Sequence, residues 1–214
     1  RLGESSIGLR RRRRLWCVRS RSKHSQRCPR WRFWSCVGPG RWRYPPRIGI
    51  YGGSFDPPHY GHLKISKIAI KKLKLKKLFW CVAKKNPFKK KTYFSLNHRI
   101  IKSKKLVKRN NKITVSSFED KIKSNATIDL IKYFKKKYIN SEFFLIIGSD
   151  NLINLHKWKN HKQLIKLVNI AVFPRKDYDQ KAKKSVILKK VKKILFFKSK
   201  HINISSTELR KKLN

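Results

Sequence analysis

The stretch "RIGIYGGSFDPPHYGHLKI", Arg47 to Ile65, sets a short apolar run against a cluster of three glycines, two prolines and two histidines. "RIGIY" reads as a strand, and from Pro57 to about Leu73 the apolar residues fall at helical spacing, with Ile65, Ile68, Ala69 and Leu73 forming an inward stripe. The junction carries the information. Gly52 and Gly53 let a backbone approach a ligand that a side chain would block. Asp56 reads as a helix cap, and Pro57 and Pro58 suit a first helical turn, where a missing amide proton costs little. A helix starting there turns unpaired N–H groups and the positive end of its dipole toward the loop, which makes an anion site. His59 and His62, three residues apart, share one face of that turn, and Gly61 keeps it bare. Imidazoles so placed can donate to phosphate oxygens and stabilise charge that develops in phosphoryl or nucleotidyl transfer. A zinc site is disfavoured, because no third ligand lies nearby in the sequence.

Outward from this junction, strands and helices alternate. "LFWCVA" (78–83) reads as the second strand, "KITVSSF" (112–118) as the third, "FFLIIG" (143–148) as the fourth and "NIAVF" (169–173) as the fifth. Helices are expected over Leu96 to Val107 and Thr127 to Tyr138, with helical pieces from Asn151 to Leu167. A polar loop follows Arg175, then an apolar, lysine-rich stretch (Val186 to Phe197) and a terminal helix from Ser205. The fourth strand is apolar throughout, as a strand covered on both faces should be. The expected fold is a Rossmann-like α/β domain: a mostly parallel sheet with helices on both faces and ligands at the carboxyl ends of its strands.

Composition divides the chain at Pro46. Thirteen Arg and one Lys precede that point, against five Arg and thirty-nine Lys beyond it, and four of the six Trp and three of the four Cys lie in the first part. Residues 1–46 show no apolar periodicity and lack the apolar centre of a signal peptide. They read as a disordered or non-native basic extension ahead of a domain over 47–214; the other reading is an arm for nucleic acid. The net charge of +48 attracts any polyanion, but the lysines are spread over nearly every element, so no specific nucleic-acid partner is expected. No stretch approaches the roughly 18 apolar residues of a membrane span. Cys17, Cys28, Cys36 and Cys81 match no common zinc or redox spacing, and a reducing cytoplasm is the default.

Near the end, "NISSTELRKKL" offers Ser205 as a cap with Glu208 three residues on, a capping-box pattern. The same turn presents Ser206 and Thr207 to an anion, with Arg210 one turn further able to hold phosphate. Two helix starts at opposite ends of the domain thus agree on one polyphosphate.

"GGSFDPPHYGH" resembles the signature of the HxGH nucleotidyltransferase superfamily, and specifically of the bacterial nicotinate-nucleotide adenylyltransferases; "ISSTELR" is similar to that superfamily's ISSTxxR motif. The resemblance covers Arg47 to Asn214. It implies adenylyl transfer from ATP to nicotinate mononucleotide, giving nicotinate adenine dinucleotide and pyrophosphate in NAD biosynthesis. By the same carry-over, His59, His62 and Arg210 are catalytic, and Gly52, Gly53, Ser54, Phe55, Ser205, Ser206 and Thr207 bind ATP. Lys89 in "NPFK", Thr127 in "ATIDLI", Asp150 in "GSDN", Trp158, and Arg175 in "AVFPR" bind the mononucleotide. Mg²⁺ is implied as the cofactor, and because no cluster of Asp or Glu is visible, it is expected to be held through ATP and water. His161 stands where many relatives have a second Trp. Relatives also continue past the final helix, whereas this chain ends at Asn214, so the resemblance implies a shortened C-terminus.

Two other readings compete. A sister transferase on the same scaffold would act on nicotinamide mononucleotide, on pantetheine phosphate, or on a polyol phosphate with CTP. A basic nucleic-acid-binding protein would need a localised basic face or stacking aromatics, which the dispersed lysines do not supply. Oligomeric state is not legible.

Overall fold

A computed structural model describes residues 45–84, 92–175, 178–185, 187–188, 194–197 and 206–211. The apolar runs form six strands, β1 (Arg47–Gly53), β2 (Lys77–Val82), β3 (Ile113–Ser116), β4 (Glu142–Gly148), β5 (Asn169–Phe173) and β6 (Ile194–Phe196). They pair in parallel throughout, in the order β3-β2-β1-β4-β5-β6. The expected Rossmann-like α/β sheet is therefore present, with β6 supplied by part of the lysine-rich 186–197 stretch. The helices are α1 (Tyr60–Lys72), α2 (Leu96–Val107), α3 (Glu119–Ile122), α4 (Thr127–Lys137), α5 (Ser149–Ile153), α6 (His161–Leu167), α7 (Asp179–Lys183) and α8 (Ser206–Lys211). α5, a 3₁₀ turn over Leu155–Lys157 and α6 resolve the helical pieces expected between 151 and 167.

Strand side chains alternate between two faces, which gives the sheet two cores. Ile48 and Ile50 of β1 join Phe79, Phe134, Leu145 and Leu164 on the face covered by α4 and α6. Tyr51 joins Phe55, Leu63, Leu78, Trp80 and Ile146 on the opposite face, under α1. β1 and β4 sit side by side at the centre, where the strand order reverses; in open parallel sheets this switch point is where the crevice forms.

Two details of the β1–α1 junction differ from expectation. The helix begins at Tyr60, not Pro57, and His59 is its cap, so Asp56, Pro57 and Pro58 form the turn before it. Asp56 does not cap α1: it is buried, and its carboxylate accepts the N–H groups of Tyr93 at 2.8 Å and Phe94 at 2.9 Å. Ala69 and Leu73 of the expected stripe are buried; Leu63 and Ser66 complete the inward face, while Ile65 and Ile68 are half-buried against the same core. Ser66 holds a core position because the Trp80 indole N–H donates to its Oγ at 2.8 Å. An orphaned buried N–H there would cost about 1–3 kcal/mol.

Of the expected extension 1–46, only Pro45 and Pro46 fall within the described residues. Lys89 and Ser205 lie outside them, as does the side chain of Thr207.

Candidate active site

Gly52 and Gly53 end β1, and Ser54 and Phe55 lead out of it, at the switch point. A Cβ added at Gly52 would meet nothing within 4 Å, so this glycine opens on space that a ligand can enter. His59 and His62 then lie against each other, with ring centroids 3.8 Å apart and ring planes tilted by 36°. The His59 N–H donates to His62 Nδ1 at 3.2 Å, and the Gly61 N–H donates to His59 Nδ1 at 3.1 Å. A neutral imidazole whose Nδ1 accepts carries its proton on Nε2. The helix cap itself therefore sets both rings as Nε2–H donors. Phe55 (4.9 Å between centroids), Tyr51 (6.0 Å) and Trp80 (6.1 Å) wall in the His62 ring.

α8 docks on the same turn. Ser206 Oγ donates to the Pro57 carbonyl at 3.0 Å, and Arg210 Nη1 donates to the Asp56 carbonyl at 2.5 Å while standing 3.9 Å from the Asp56 carboxylate. The two phosphate motifs read from opposite ends of the domain are thus in contact, through the backbone between β1 and α1.

Asp150 and Arg175 follow β4 and β5 and pair directly, Arg175 Nη1 donating to Asp150 Oδ2 at 2.6 Å. Ser149 Oγ accepts the Arg175 N–H at 3.0 Å, which fixes the two strand ends together. Asp150 Oδ1 is buried and has no hydrogen-bond partner among the described residues. The pair lies near Tyr51: burial pushes the Tyr51 phenol up, the Asp150 carboxylate adds to this, and the Arg175 guanidinium opposes it.

On the other face of the sheet, a cavity of about 410 Å³ opens beside Gly52, Gly53 and Ser54. Its floor is Cys81, Leu145 and Ile147, and its walls are Phe118, the start of α4 with Ala126 and Thr127, and Trp158 with Lys157 and Lys159. Trp158 Nε1 is buried and has no partner among the described residues. Burial pushes the Cys81 thiol up, so Cys81 is an apolar floor and no nucleophile. Of the residues expected to bind a mononucleotide, Thr127 and Trp158 line this cavity, whereas Asp150 and Arg175 do not.

Two buried groups escaped the sequence reading. Asp56 was read as a local cap but ties α1, α8 and the segment before α2 into one unit. Arg99 of α2 is fully buried, and all its hydrogen-bond partners are backbone carbonyls. Neither bond pattern leaves a sequence signal. Glu119 also lines the cavity and accepts the Lys84 N–H at 3.2 Å.

Among the described residues no group of three or more His, Cys, Asp or Glu side chains could hold a metal ion, and no helix is long and apolar enough to cross a membrane.

A family model described as Cytidylyltransferase-like matches residues 50–212. The chain is 48% identical to a probable nicotinate-nucleotide adenylyltransferase of Pelagibacter ubique over 77% of this chain and 92% of that protein. It is 33% identical to one of Aquifex aeolicus over 74% of this chain and 98% of that protein. Among solved structures, the Plasmodium falciparum nicotinic acid mononucleotide adenylyltransferase complexed with NaAD superposes with a TM-score of 0.61 at 25% identity, over 78% of this chain and 83% of that one. The same enzyme complexed with APC gives a TM-score of 0.64 at 23% identity over the same shares. Motif order, strand order and these relatives agree: the chain belongs to the nicotinate-nucleotide adenylyltransferases of the Cytidylyltransferase-like family.

Proposed function

We propose that the protein transfers the adenylyl group of ATP to nicotinate mononucleotide, forming nicotinate adenine dinucleotide and pyrophosphate as a step in NAD biosynthesis. The observation that carries this is the shared Gly52–Ser54 wall. One side of it faces a double-histidine helix start suited to phosphates, and the other faces a nucleoside-sized apolar cavity.

The chemistry needs no protein nucleophile. A phosphate oxygen of the mononucleotide attacks the α-phosphorus of ATP in line, the P–O bond to the β-phosphate breaks, and pyrophosphate leaves with the electron pair. Catalysis then consists of aligning two anions and stabilising charge as it moves to the leaving group. The Nε2–H donors of His59 and His62 serve the α and β phosphates. Ser205, Ser206, Thr207 and Arg210 serve the β and γ phosphates; Ser206 and Arg210 already stand on the turn that carries the histidines. Gly52, Gly53, Ser54 and Phe55 supply the close backbone approach.

In the cavity, Trp158 stacks on the pyridine ring, and Thr127 sits at the start of α4, where the helix dipole favours a carboxylate over a neutral amide. That feature supports nicotinate over nicotinamide mononucleotide. Asp150, with its unpartnered Oδ1, accepts a ribose hydroxyl where the two ligands meet, and Arg175 holds it in place. Lys89 completes the mononucleotide set. Mg²⁺ takes hard oxygen donors and keeps several waters, which fits a site whose orphan Asp150 Oδ1 is its single spare buried carboxylate oxygen among the described residues. The ion is then held through the ATP phosphates, and when bound it neutralises their charge. A reducing cytoplasm suits the free Cys81 thiol beneath the cavity.

Incubation of the full chain with ATP labelled at the α-phosphate and nicotinate mononucleotide tests the reading. Label should appear in a dinucleotide with one pyrophosphate released per product. Label that stays in ATP contradicts it.

A further inference from the structure

We propose that Arg99 is a positioning residue that holds the loops of both substrates in one register, an inference that rests on the adenylyl-transfer reading. Its side chain is 0% exposed. Nη1 donates to the carbonyls of Ser54 and Ala83, each at 2.7 Å, Nη2 donates to Lys84 O at 3.0 Å, and Nε donates to Phe94 O at 3.1 Å. Among the described residues no carboxylate is bonded to it directly. Burial lowers its pKa from the ordinary guanidinium value, and the charges of Asp56 and Glu119 oppose that shift from a distance.

A buried cation is costly, and an apolar side chain of similar volume often serves stability as well or better. The placement of its four carbonyls shows what the charge achieves. Ser54 belongs to the glycine loop that separates the two ligand sides. Ala83 and Lys84 leave β2 at the cavity rim, where Ala83 and Ser54 both line the wall. Phe94 returns to the site through its N–H, which donates to Asp56, whose own carbonyl accepts Arg210. One rigid fork of donors therefore sets the glycine loop, the exit of β2 and the docking turn of α8 relative to one another. In-line transfer depends on that alignment, since a misplacement of about 1 Å can cost about 10²-fold in rate. Lysine cannot replace it, because its single ammonium has no planar fork to reach carbonyls on three segments.

The test is Arg99→Lys in the full chain, with the folded fraction measured by near-ultraviolet circular dichroism and initial rates measured against each substrate in turn. Per folded molecule, KM should rise about tenfold or more for both ATP and the mononucleotide, and kcat should fall about 10²-fold. A purely structural residue would lower the active fraction and leave both KM values unchanged; that result overturns the proposal. As a second arm, Arg99→Ala leaves a site lined by carbonyls, and millimolar guanidinium should restore the low KM values whereas ammonium should not. If Arg99→Lys and Arg99→Ala both fail to fold with guanidinium present, Arg99 is a folding residue and the proposal also falls. Inactivity of the unsubstituted protein would instead count against the adenylyl-transfer reading itself.

Discussion

His59 and His62 stand with their rings 3.8 Å apart, and each uses its Nδ1 to accept a backbone N–H at the start of α1. The helix cap and the proposed phosphate site are thus the same pair of side chains. Removing one imidazole should separate the two roles by size. In His62→Ala, turnover is expected to fall by about 10²–10³, as when one charge-stabilising donor is lost. The lost cap should cost about 1 kcal/mol of stability. Pyrophosphate release and urea unfolding on the same preparation check both figures, and a stability loss with unchanged turnover would confine His62 to capping.

Asp56 is 2% exposed and accepts two amides from a segment 37 and 38 residues away in sequence. In Asp56→Asn one of those N–H groups would face an amide NH₂. A buried donor left unpaired costs about 1–3 kcal/mol. The urea midpoint should shift down accordingly, and KM for ATP should rise, since α8 docks on the backbone of this residue.

Gly148 closes β4 beside Asp150, and an added Cβ there would collide with Asp150 Oδ1. In Gly148→Ala the carboxylate has to swing, which loosens its contact with Arg175. KM for the mononucleotide is expected to rise about tenfold, the equivalent of one good hydrogen bond, with a change in stability of about 0.5 kcal/mol or less. Steady-state kinetics with a parallel melt separates this from general damage.

Burial raises the Glu119 pKa, with the Lys84 N–H hydrogen bond and the Lys84 charge opposing the shift. A carboxyl with a raised pKa in the fold contributes stability that is fully present below its unfolded value, about 4.3, and lost as pH climbs through the folded value. Glu119→Gln resembles the protonated form and can still accept the Lys84 N–H. Its Tm should match the unsubstituted protein near pH 4 and exceed it near pH 7. A gap that is constant with pH would contradict the assignment.

The strand–loop–helix containing the double histidine was legible because its signals are local: apolar runs of strand length, glycines at a strand end, and a fixed spacing of His59 and His62. The parallel sheet followed from the same alternation. The start of α1 was misplaced because Pro57 and Pro58 are compatible with a first turn, and what moves the start to Tyr60 is Asp56 bonding to Tyr93 and Phe94, far along the chain. Ser66 was passed over as a polar residue in an apolar stripe, since its reason is the Trp80 indole across the core. Arg99 was hidden among the lysines, because a cation whose partners are carbonyls looks like any surface charge until the chain is folded. Asp150 and Arg175 were named through the resemblance one by one, and their direct pairing beside Tyr51 joins the ends of two strands, which no local spacing encodes.

The most direct test of the whole account is a comparison of kcat/KM for nicotinate and nicotinamide mononucleotide with ATP, followed as pyrophosphate release by the full chain. The account predicts turnover with nicotinate mononucleotide and a preference for it of about tenfold or more over the amide, the size expected when one carboxylate contact at a helix N-terminus distinguishes them. Equal rates would contradict the placement of the carboxylate at the start of α4, and no pyrophosphate from either substrate would contradict adenylyl transfer itself.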